Sequence, residues 1–296
     1  MDLDTLIISV FCTLDDAMKV CFANKGLRQS GPATILGDSE VLTLEVVGAF
    51  LGYSQDEALF AFFRDHYAHF FPALRCVHRT TFTRQAANLW KVKERLWLYL
   101  LDKTPHDERF HIIDSFPLPV CRFARAPRCR RFRGEAAFGH DAAARHTFYG
   151  FRFHALLAWP GVIVRFCLAS GNEQELAVAP ALAEGTAGML LGDRNYWSPA
   201  LTQELAQDDL RLLAPYRNKS RDPWPQRSHL LSVLRYRIDT IFGQLCDRFA
   251  IKAVGARDLW HMANRLLRVV MSHTLMVYLN TQQGNEPIQL DCLVTA

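Results

Sequence analysis

Two acidic residues stand at the edge of apolar stretches of this chain, and both are candidate metal ligands. Asp114 interrupts the run FHIIDSF at residues 110–116, and Asp193 follows the segment GMLLG 79 residues later. A run of four to eight apolar residues is typical of a strand covered on both faces, where an unpaired carboxylate is costly. Carboxylates at the tips of two such strands therefore suggest a metal site. A turn or helix cap is the alternative for each of them.

A third acid, Asp239, lies in a late segment with helical periodicity. It flanks an apolar stripe that includes Ile238 and Ile241, on the same side as Arg235 one turn earlier. An ion pair with Arg235 is the alternative to metal binding. Three acids on three elements could converge over the carboxyl edge of one sheet, and two divalent cations about 3.5–4 Å apart need such oxygen ligands for in-line phosphoryl displacement. Mg²⁺ keeps several waters, so few carboxylates suffice.

The positive charge of the chain is concentrated near Asp114. Residues 105–172 carry 10 Lys and Arg against 5 Asp and Glu, whereas the two flanking regions are close to balanced. Within that region, residues 121–134 hold six arginines and no acid. An arginine-dense segment of one sign is a candidate phosphate-binding element, and a solvated loop is the alternative. The six are Arg122, Arg125, Arg128, Arg130, Arg131 and Arg133.

The pattern of apolar residues predicts a helical region followed by a sheet. Residues 1–104 read as several short helices with a glycine turn, which is compatible with a helix-turn-helix DNA-binding module. Five strands follow, with helices before the fourth and the fifth and long helices near the end, which describes a mixed α/β layer fold. In the second strand, the period of two puts Arg152 and His154 on one face, where both could reach DNA phosphate. A buried histidine is the alternative for His154.

Composition excludes several classes of protein. No apolar run approaches the roughly 18 residues of a membrane span. The N-terminal segment carries Asp2 and Asp4 where a secretory signal needs positive charge, and the eight cysteines form no CxxC pair. The sequence therefore predicts a cytoplasmic protein that has free thiols, does not bind a membrane and does not act on a small-molecule substrate.

Four ordered motifs, IIDS, YGFRFHALLA, GDRNYW and YRIDTIFGQL, resemble the catalytic core of bacterial insertion-sequence transposases of the DDE type. The resemblance runs from about residue 40 to residue 275 and is to the compact branch that has no insertion domain. It implies an RNase H-like core and two Mg²⁺ or Mn²⁺ ions. It also implies binding to double-stranded DNA at inverted-repeat ends and at the target, strand cleavage, and transfer of a 3′-hydroxyl. Synapsis of two ends implies a homodimer.

The resemblance assigns roles to individual residues. Asp114 matches the first acid of the family and Asp193 the second, while Asp239 stands where the family has glutamate and Arg235 matches an arginine often found there. We expect Asp114, Asp193 and Asp239 to be catalytic and to bind the metals. We expect DNA contacts from the six arginines of residues 121–134 and from Arg152, His154 and Arg235.

These observations predict an RNase H-like mixed five-stranded sheet flanked by helices, after a small helix-turn-helix-like region. Residues 1–104 are the predicted end-binding region, residues 105–280 the catalytic domain and residues 281–296 a loosely held tail. Two alternatives stay open. One is an RNase H-like nuclease that cuts without joining, and the other is a decayed transposase that only binds DNA.

Overall fold

The computed structural model describes residues 1–23, 34–142, 144–216, 226–253 and 255–294. Its helices are α1 (Leu3–Cys21), α2 (Asp38–Phe50), α3 (Asp56–His66), α4 (Arg79–Asn88), α5 (Trp90–Lys103), α6 (Glu175–Ala183), α7 (Pro199–Ala206), α8 (Gln226–Asp247) and α9 (Leu259–Gln282). Its strands are β1 (Asp107–Pro119), β2 (Ala137–Asp141), β3 (His146–Trp159), β4 (Val162–Ser170), β5 (Gly188–Leu191) and β6 (Leu210–Leu213). None of these helices is both long and apolar enough to cross a membrane.

The chain packs into two compact units. The first joins Met1–Pro105 to Gln244–Ala296, and the second is His106–Gly243. The first unit is helical and the second holds the sheet. The roles assigned above to residues 1–104, 105–280 and 281–296 stay predictions.

The second unit is built on one mixed sheet. Its strands follow the order β4-β3-β1-β5-β6, with β2 beside the first half of β3. β3 runs antiparallel to β1 and to β4, whereas β5 runs parallel to β1 and to β6. The carboxyl ends of β1, β4, β5 and β6 therefore lie at one edge. The mixed α/β class predicted from the sequence is confirmed.

The sheet has six strands rather than the five predicted. The additional strand, β2, forms a hairpin with β3 in which Ala137 pairs with Gly150 and Asp141 with His146. A Cβ at Gly139, in the middle of β2, would lie 2.2 Å from the carbonyl oxygen of Gly171. Glycine is thus required for close backbone approach, and it weakens the strand signal in the sequence.

The two faces of the sheet are covered by different helices. Successive residues of a strand point to opposite faces, and β1 follows this rule. Ile113 belongs to a buried cluster with residues of α6 and α7, including Leu182 and Leu205. On the other face Phe116 packs edge-on against Phe242 of α8, with ring centroids 4.7 Å apart. β1 therefore presents its odd-numbered side chains to α6 and its even-numbered side chains to α8.

In the helical unit, α2 is the central element. Every residue of α2 from Val41 to Phe50 is buried, as expected for a helix that is apolar on all sides. Gly52, at φ +84°, makes the turn after α2, which confirms the predicted glycine turn. DNA contact by these helices stays a prediction.

The C-terminal segment is held more firmly than predicted. Ile288, Leu290 and Leu293 are buried. The N-terminal ammonium of Met1 donates to the carbonyl of Leu293 at 2.9 Å, and Gln244 Nε2 donates to the carbonyl of Ile288 at 2.6 Å. The prediction of a loosely held tail is therefore wrong for the described residues up to 294, because the apolar side chains of this segment pack into the core of the helical unit.

His273 of α9 makes the helical unit sensitive to acid. It is fully buried, and burial lowers its pKa from 6.5 to about 4. Because the folded-state pKa lies below the unfolded one, neutral His273 contributes stability above pH 6.5 that is lost as the pH falls towards 4. The loss amounts to about 3 kcal/mol.

Between pH 7 and pH 4, we expect the free energy of unfolding to fall by about 3 kcal/mol less in the His273→Gln variant than in the wild type. Urea unfolding at several pH values measures the difference. His229→Gln, at an exposed position of α8, is the control and should keep the wild-type pH dependence. If the free energy of unfolding of His273→Gln depended on pH as strongly as that of the wild type, His273 would not be the source of the acid sensitivity.

Candidate active site

A cavity of about 620 Å³ lies at the carboxyl end of β1 in the sheet unit. Pairing of β1 with β5 stops at Ile112 and Leu191, while β1 continues to Pro119. The strands diverge there, which leaves one edge of β1 open to the cavity. Clefts beyond the carboxyl ends of strands are the usual binding sites of open α/β sheets. Six carboxylates line the cavity, together with two arginines: Asp114, Asp141, Glu173, Glu175, Asp193 and Asp239, with Arg152 and Arg235.

Asp114 lies on β1 on the face covered by α8. Its Oδ2 accepts a hydrogen bond from Arg235 Nη2 at 2.7 Å, and its Oδ1 accepts from the backbone N–H of Ser115 at 2.8 Å. Burial raises the pKa of Asp114 to about 6, against the lowering effect of Arg235, and Asp193 raises it further. Arg235 thus compensates this carboxylate only in part, and a cation at the site would lower its pKa.

Asp193 follows β5 after one glycine. It caps a short 3₁₀ turn, Arg194–Tyr196, by accepting from the backbone N–H of Asn195 at 2.7 Å. Asp193 therefore caps a turn, as the alternative interpretation predicted. Capping occupies only Oδ1, and Asp193 lines the cavity within electrostatic range of Asp114.

Asp239 and Arg235 lie one turn apart on α8, and both line the cavity. Arg235 pairs with Asp114 rather than with Asp239. The predicted alternative of a helix-surface ion pair is therefore wrong. Asp239 is exposed and has no hydrogen bond or ion pair with a described residue, which leaves its carboxylate available to a ligand. Arg237 lies over the ring of Trp159 at 5.1 Å and helps to hold α8 on the sheet.

A second hydrogen-bonded group lies across β1 from Asp114. Ser115 Oγ donates to Glu175 Oε1 at 2.7 Å, and Arg152 Nη1 lies 3.3 Å from Ser115 Oγ and 3.5 Å from Glu175 Oε1. Arg152 Nη2 also donates to the carbonyl of His140 at 2.5 Å. Glu175 is the first residue of α6 and is not among the site residues predicted from the sequence. The parallel arrangement of β4 and β1 brings it to the cavity, and no local motif marks it.

Two of the predicted DNA contacts have different surroundings from those expected. His154 is fully buried because β3 is central in the sheet and covered on both faces, so it has no surface to offer a phosphate. Burial, followed by the charge of Arg152, lowers the pKa of His154 to about 4, and the ring is therefore neutral. Arg152 is largely buried, and its guanidinium bonds protein oxygens.

The arginine-rich segment, residues 121–134, is exposed as a phosphate-binding loop requires. All six arginines are exposed, and none forms an ion pair with a described residue. Phe132 anchors the segment by packing edge-on against Phe151 of β3, with ring centroids 5.2 Å apart. The backbone of Phe132 has φ +57°, which is unusual for a residue with a side chain. The loop thus keeps its charges at the surface and its aromatic ring in the core.

The cavity suits a divalent cation by its donor set. Carboxylate oxygens are the ligands that Mg²⁺ and Mn²⁺ prefer, and Asp114, Asp193 and Asp239 all line the cavity. As the side chains are oriented, no three His, Cys, Asp or Glu residues in the described ranges are grouped to hold a metal ion. Asp114 is turned to Arg235 and Asp193 to its capped turn, so rotation of these side chains is needed to bind one.

A comparison with known protein families agrees with these features. Residues 105–258, more than half of the chain, match the family described as "Transposase DDE domain". Among solved structures, the chain resembles a piggyBac transposase determined by cryo-electron microscopy as a synaptic complex with hairpin DNA. The identity is 12%, the TM-score is 0.49, and the match covers 95% of this chain and 76% of the other. No curated protein matches.

The extent of the family match decides the assignment. It begins at the start of the sheet unit and includes Asp114, Asp193 and Asp239 together with the cavity between them. The chain therefore belongs to the transposase DDE-domain family.

Proposed function

We propose that the protein binds the inverted-repeat ends of its insertion sequence, cleaves the DNA strand there and transfers the new 3′-hydroxyl into target DNA. One observation carries the proposal. Asp114, Asp193 and Asp239, which come from a strand, a strand end and a helix, line one carboxylate-rich cavity in a chain of this family. The cytoplasmic location and action as a homodimer on two ends belong to the same proposal.

In this proposal the three acids hold two Mg²⁺ or Mn²⁺ ions. Such ions stabilise the attacking and leaving oxygens of an in-line displacement at phosphorus. In cleavage, water attacks a phosphodiester and the bond to the 3′-oxygen breaks, which leaves a 3′-hydroxyl. In transfer, that hydroxyl loses its proton and attacks a phosphodiester of the target. The bond from that phosphorus to the target's 3′-oxygen breaks, and the released 3′-oxygen takes up a proton. Arg235 orients Asp114 through their 2.7 Å hydrogen bond and places positive charge beside the reacting phosphate.

DNA binding in this proposal uses two regions. Residues 1–104 recognise the end sequence, and the arginine-rich segment contacts phosphates next to the catalytic domain, residues 105–280. The support for the second contact is the exposure of all six arginines without protein ion pairs in the described structure. Neutralising phosphates releases counterions, which makes binding dependent on salt.

A strand-transfer assay on a labelled inverted-repeat end tests the function. Joined product in Mg²⁺ or Mn²⁺ supports a transposase. Nicked product without joining would instead support a nuclease, and a metal-independent gel shift without cleavage would support a DNA-binding protein only. In the same assay, unchanged cleavage by the Asp239→Ala variant would contradict the role of Asp239. That residue needs the test because aspartate is one methylene shorter than the glutamate of the family.

Removal of arginines from the segment should weaken the salt dependence of binding. For the variant with Arg128, Arg130, Arg131 and Arg133 changed to Ala, we expect the slope of log affinity against log salt concentration to fall by up to about four contacts' worth. Fluorescence anisotropy with end DNA at 50–300 mM salt, roughly, covers the useful range.

The matched control changes two exposed arginines elsewhere in the same unit, Arg109 and Arg211, to Ala. We expect this control to keep the wild-type slope. If the four-arginine variant also kept it, the segment would not lie at the DNA.

A further inference from the structure

Glu175 has the surroundings of a functional acid rather than of a helix cap. It is the first residue of α6, after a four-residue loop from β4, and its side chain is 14% exposed. β4 is parallel to β1, so the start of α6 lies at the same sheet edge as Asp114 and Asp193. Glu175 lines the cavity, and of its two carboxylate oxygens only Oε1 has partners among the described residues, namely Ser115 and Arg152.

The pairing of Glu175 with Arg152 does not account fully for this carboxylate. The closest distance between them is 3.5 Å, whereas Arg152 donates to the carbonyl of His140 at 2.5 Å. Hydrogen bonds between oppositely charged groups are ordinarily about 2.7–2.9 Å long. The strongest contact of Arg152 is thus to the backbone, and its pairing with Glu175 is loose.

Tyr196 gives an independent sign that a ligand belongs beside this acid. Its side chain is fully buried, and its hydroxyl has no hydrogen-bond partner in the described structure. Burial raises the pKa of that hydroxyl, and the nearby acids raise it further, in the order Glu175, Asp114 and Asp193. The hydroxyl is thus unpaired and lies within electrostatic range of these three carboxylates.

A hydrated divalent cation would pair with the carboxylate of Glu175 and, through a bound water, give the Tyr196 hydroxyl a hydrogen-bond partner. Buried polar atoms without a partner in a native structure call for a water or an ion. Mg²⁺ and Mn²⁺ offer charge to carboxylates and retain waters that can bond to a hydroxyl. The ring of Tyr196 packs in the cluster beneath α6, on the Glu175 side of the sheet. The unpaired hydroxyl thus belongs to a side chain on the Glu175 side of the sheet, three residues after Asp193.

We propose that Glu175 is a further metal-binding carboxylate of this centre and acts with Asp114 and Asp193 from the α6 side of β1. The inference rests on the proposed function, because it concerns the same cations. Glu175 would also give the metal centre a long acidic side chain, whereas the side chain of the α8 acid, Asp239, is shorter and exposed.

Binding of Mn²⁺ to the full chain without DNA tests the inference, measured by isothermal titration calorimetry and by the loss of the free Mn²⁺ signal in electron paramagnetic resonance. Loss of even a supporting partner of a metal ligand costs about 10- to 100-fold in affinity. We therefore expect Glu175→Gln to weaken Mn²⁺ binding at least about tenfold.

The matched control is Glu173→Gln. Glu173 lines the same cavity two residues earlier, but it is exposed, so solvent and salt screen its charge. We expect less than about a threefold change in this variant. Equal effects of the two substitutions would overturn the inference, because they would show a general charge effect instead of ligation.

A second variant separates the loss of a metal ligand from the loss of folded structure. Glu175→Asp keeps the negative charge at the start of α6 but withdraws the carboxylate by one methylene, and thermal melting checks that it is folded. We expect it to weaken Mn²⁺ binding too, whereas wild-type affinity would contradict ligation. Strand cleavage is scored separately. Wild-type Mn²⁺ binding that depends on Glu175 without any DNA cleavage would refute the proposed function and leave this inference standing.

Discussion

Replacement of Asp114 by Asn should abolish strand cleavage while leaving the protein folded. Asp114 lines the cavity, is hydrogen-bonded to Arg235 and lies within electrostatic range of Asp193. Removal of one group that stabilises charge in a transition state costs about 10²–10³ in rate. Since Asp114 would contact both the metals and Arg235, we expect a loss of about a thousandfold or more. Single-turnover cleavage of a labelled end measures it.

The fold should tolerate this change because asparagine has nearly the same shape. Burial raises the pKa of Asp114 to about 6, so its charged form is less stable in the metal-free fold than in solvent. We expect the melting temperature to change by no more than about 4 °C, which corresponds to about 1 kcal/mol. Glu173→Gln, in the same cavity, should keep near wild-type cleavage. Full activity in Asp114→Asn would remove the basis of the proposed mechanism.

Replacement of Lys93 by Met should give the largest loss of stability. Lys93 on α5 and Glu45 on α2 are both buried, and Lys93 Nζ bonds Glu45 Oε1 at 3.0 Å and Oε2 at 2.9 Å. Burial lowers the pKa of Lys93, while the charge of Glu45 opposes that shift. Removal of one partner of a buried pair costs about 3–5 kcal/mol, and among the described residues Glu45 would keep only the more distant Arg268, at 3.7 Å. Urea unfolding measures this loss.

The double variant Glu45→Leu with Lys93→Met is the informative comparison. Replacing both partners of a buried pair by apolar residues is often neutral or stabilising, so we expect most of the loss to be recovered. Arg268, 3.7 Å from Glu45, keeps Asp56 as a partner at 2.9 Å. Lys19→Met, which breaks an exposed pair with Asp15, should change stability very little. No recovery in the double variant would show that Glu45 has a role beyond pairing with Lys93.

Much of the sheet unit could be predicted from the sequence because its strands are strongly patterned. The predicted second strand, which carries Arg152 and His154, is β3, and the helices predicted before the fourth and the fifth strands are α6 and α7. β2 was missed because five residues with a central glycine carry little periodic signal. His154 was misplaced because alternation along one strand separates two faces but does not say that both are covered.

The candidate site could be predicted only in part, since side-chain partners depend on tertiary packing. The apolar runs around Asp114 and Asp193 marked both acids, and the helical stripe marked Asp239. Local spacing left an ion pair between Arg235 and Asp239 open as an alternative. In the structure α8 packs on β1 so that Arg235 pairs with Asp114 instead. Glu175 reaches the cavity through the parallel arrangement of β4 and β1, which follows from strand order and not from any local motif.

The most direct test of strand transfer uses a pre-cleaved inverted-repeat end and a target plasmid. We expect the end with a 3′-hydroxyl to join the target in Mg²⁺ or Mn²⁺. We expect no joining in EDTA, with Asp114→Asn, or when the same end terminates in a 3′-deoxy nucleotide. Joining of the 3′-deoxy end, joining in EDTA, or no joining by the wild-type protein under any metal condition would contradict metal-dependent transfer of a 3′-hydroxyl by this chain.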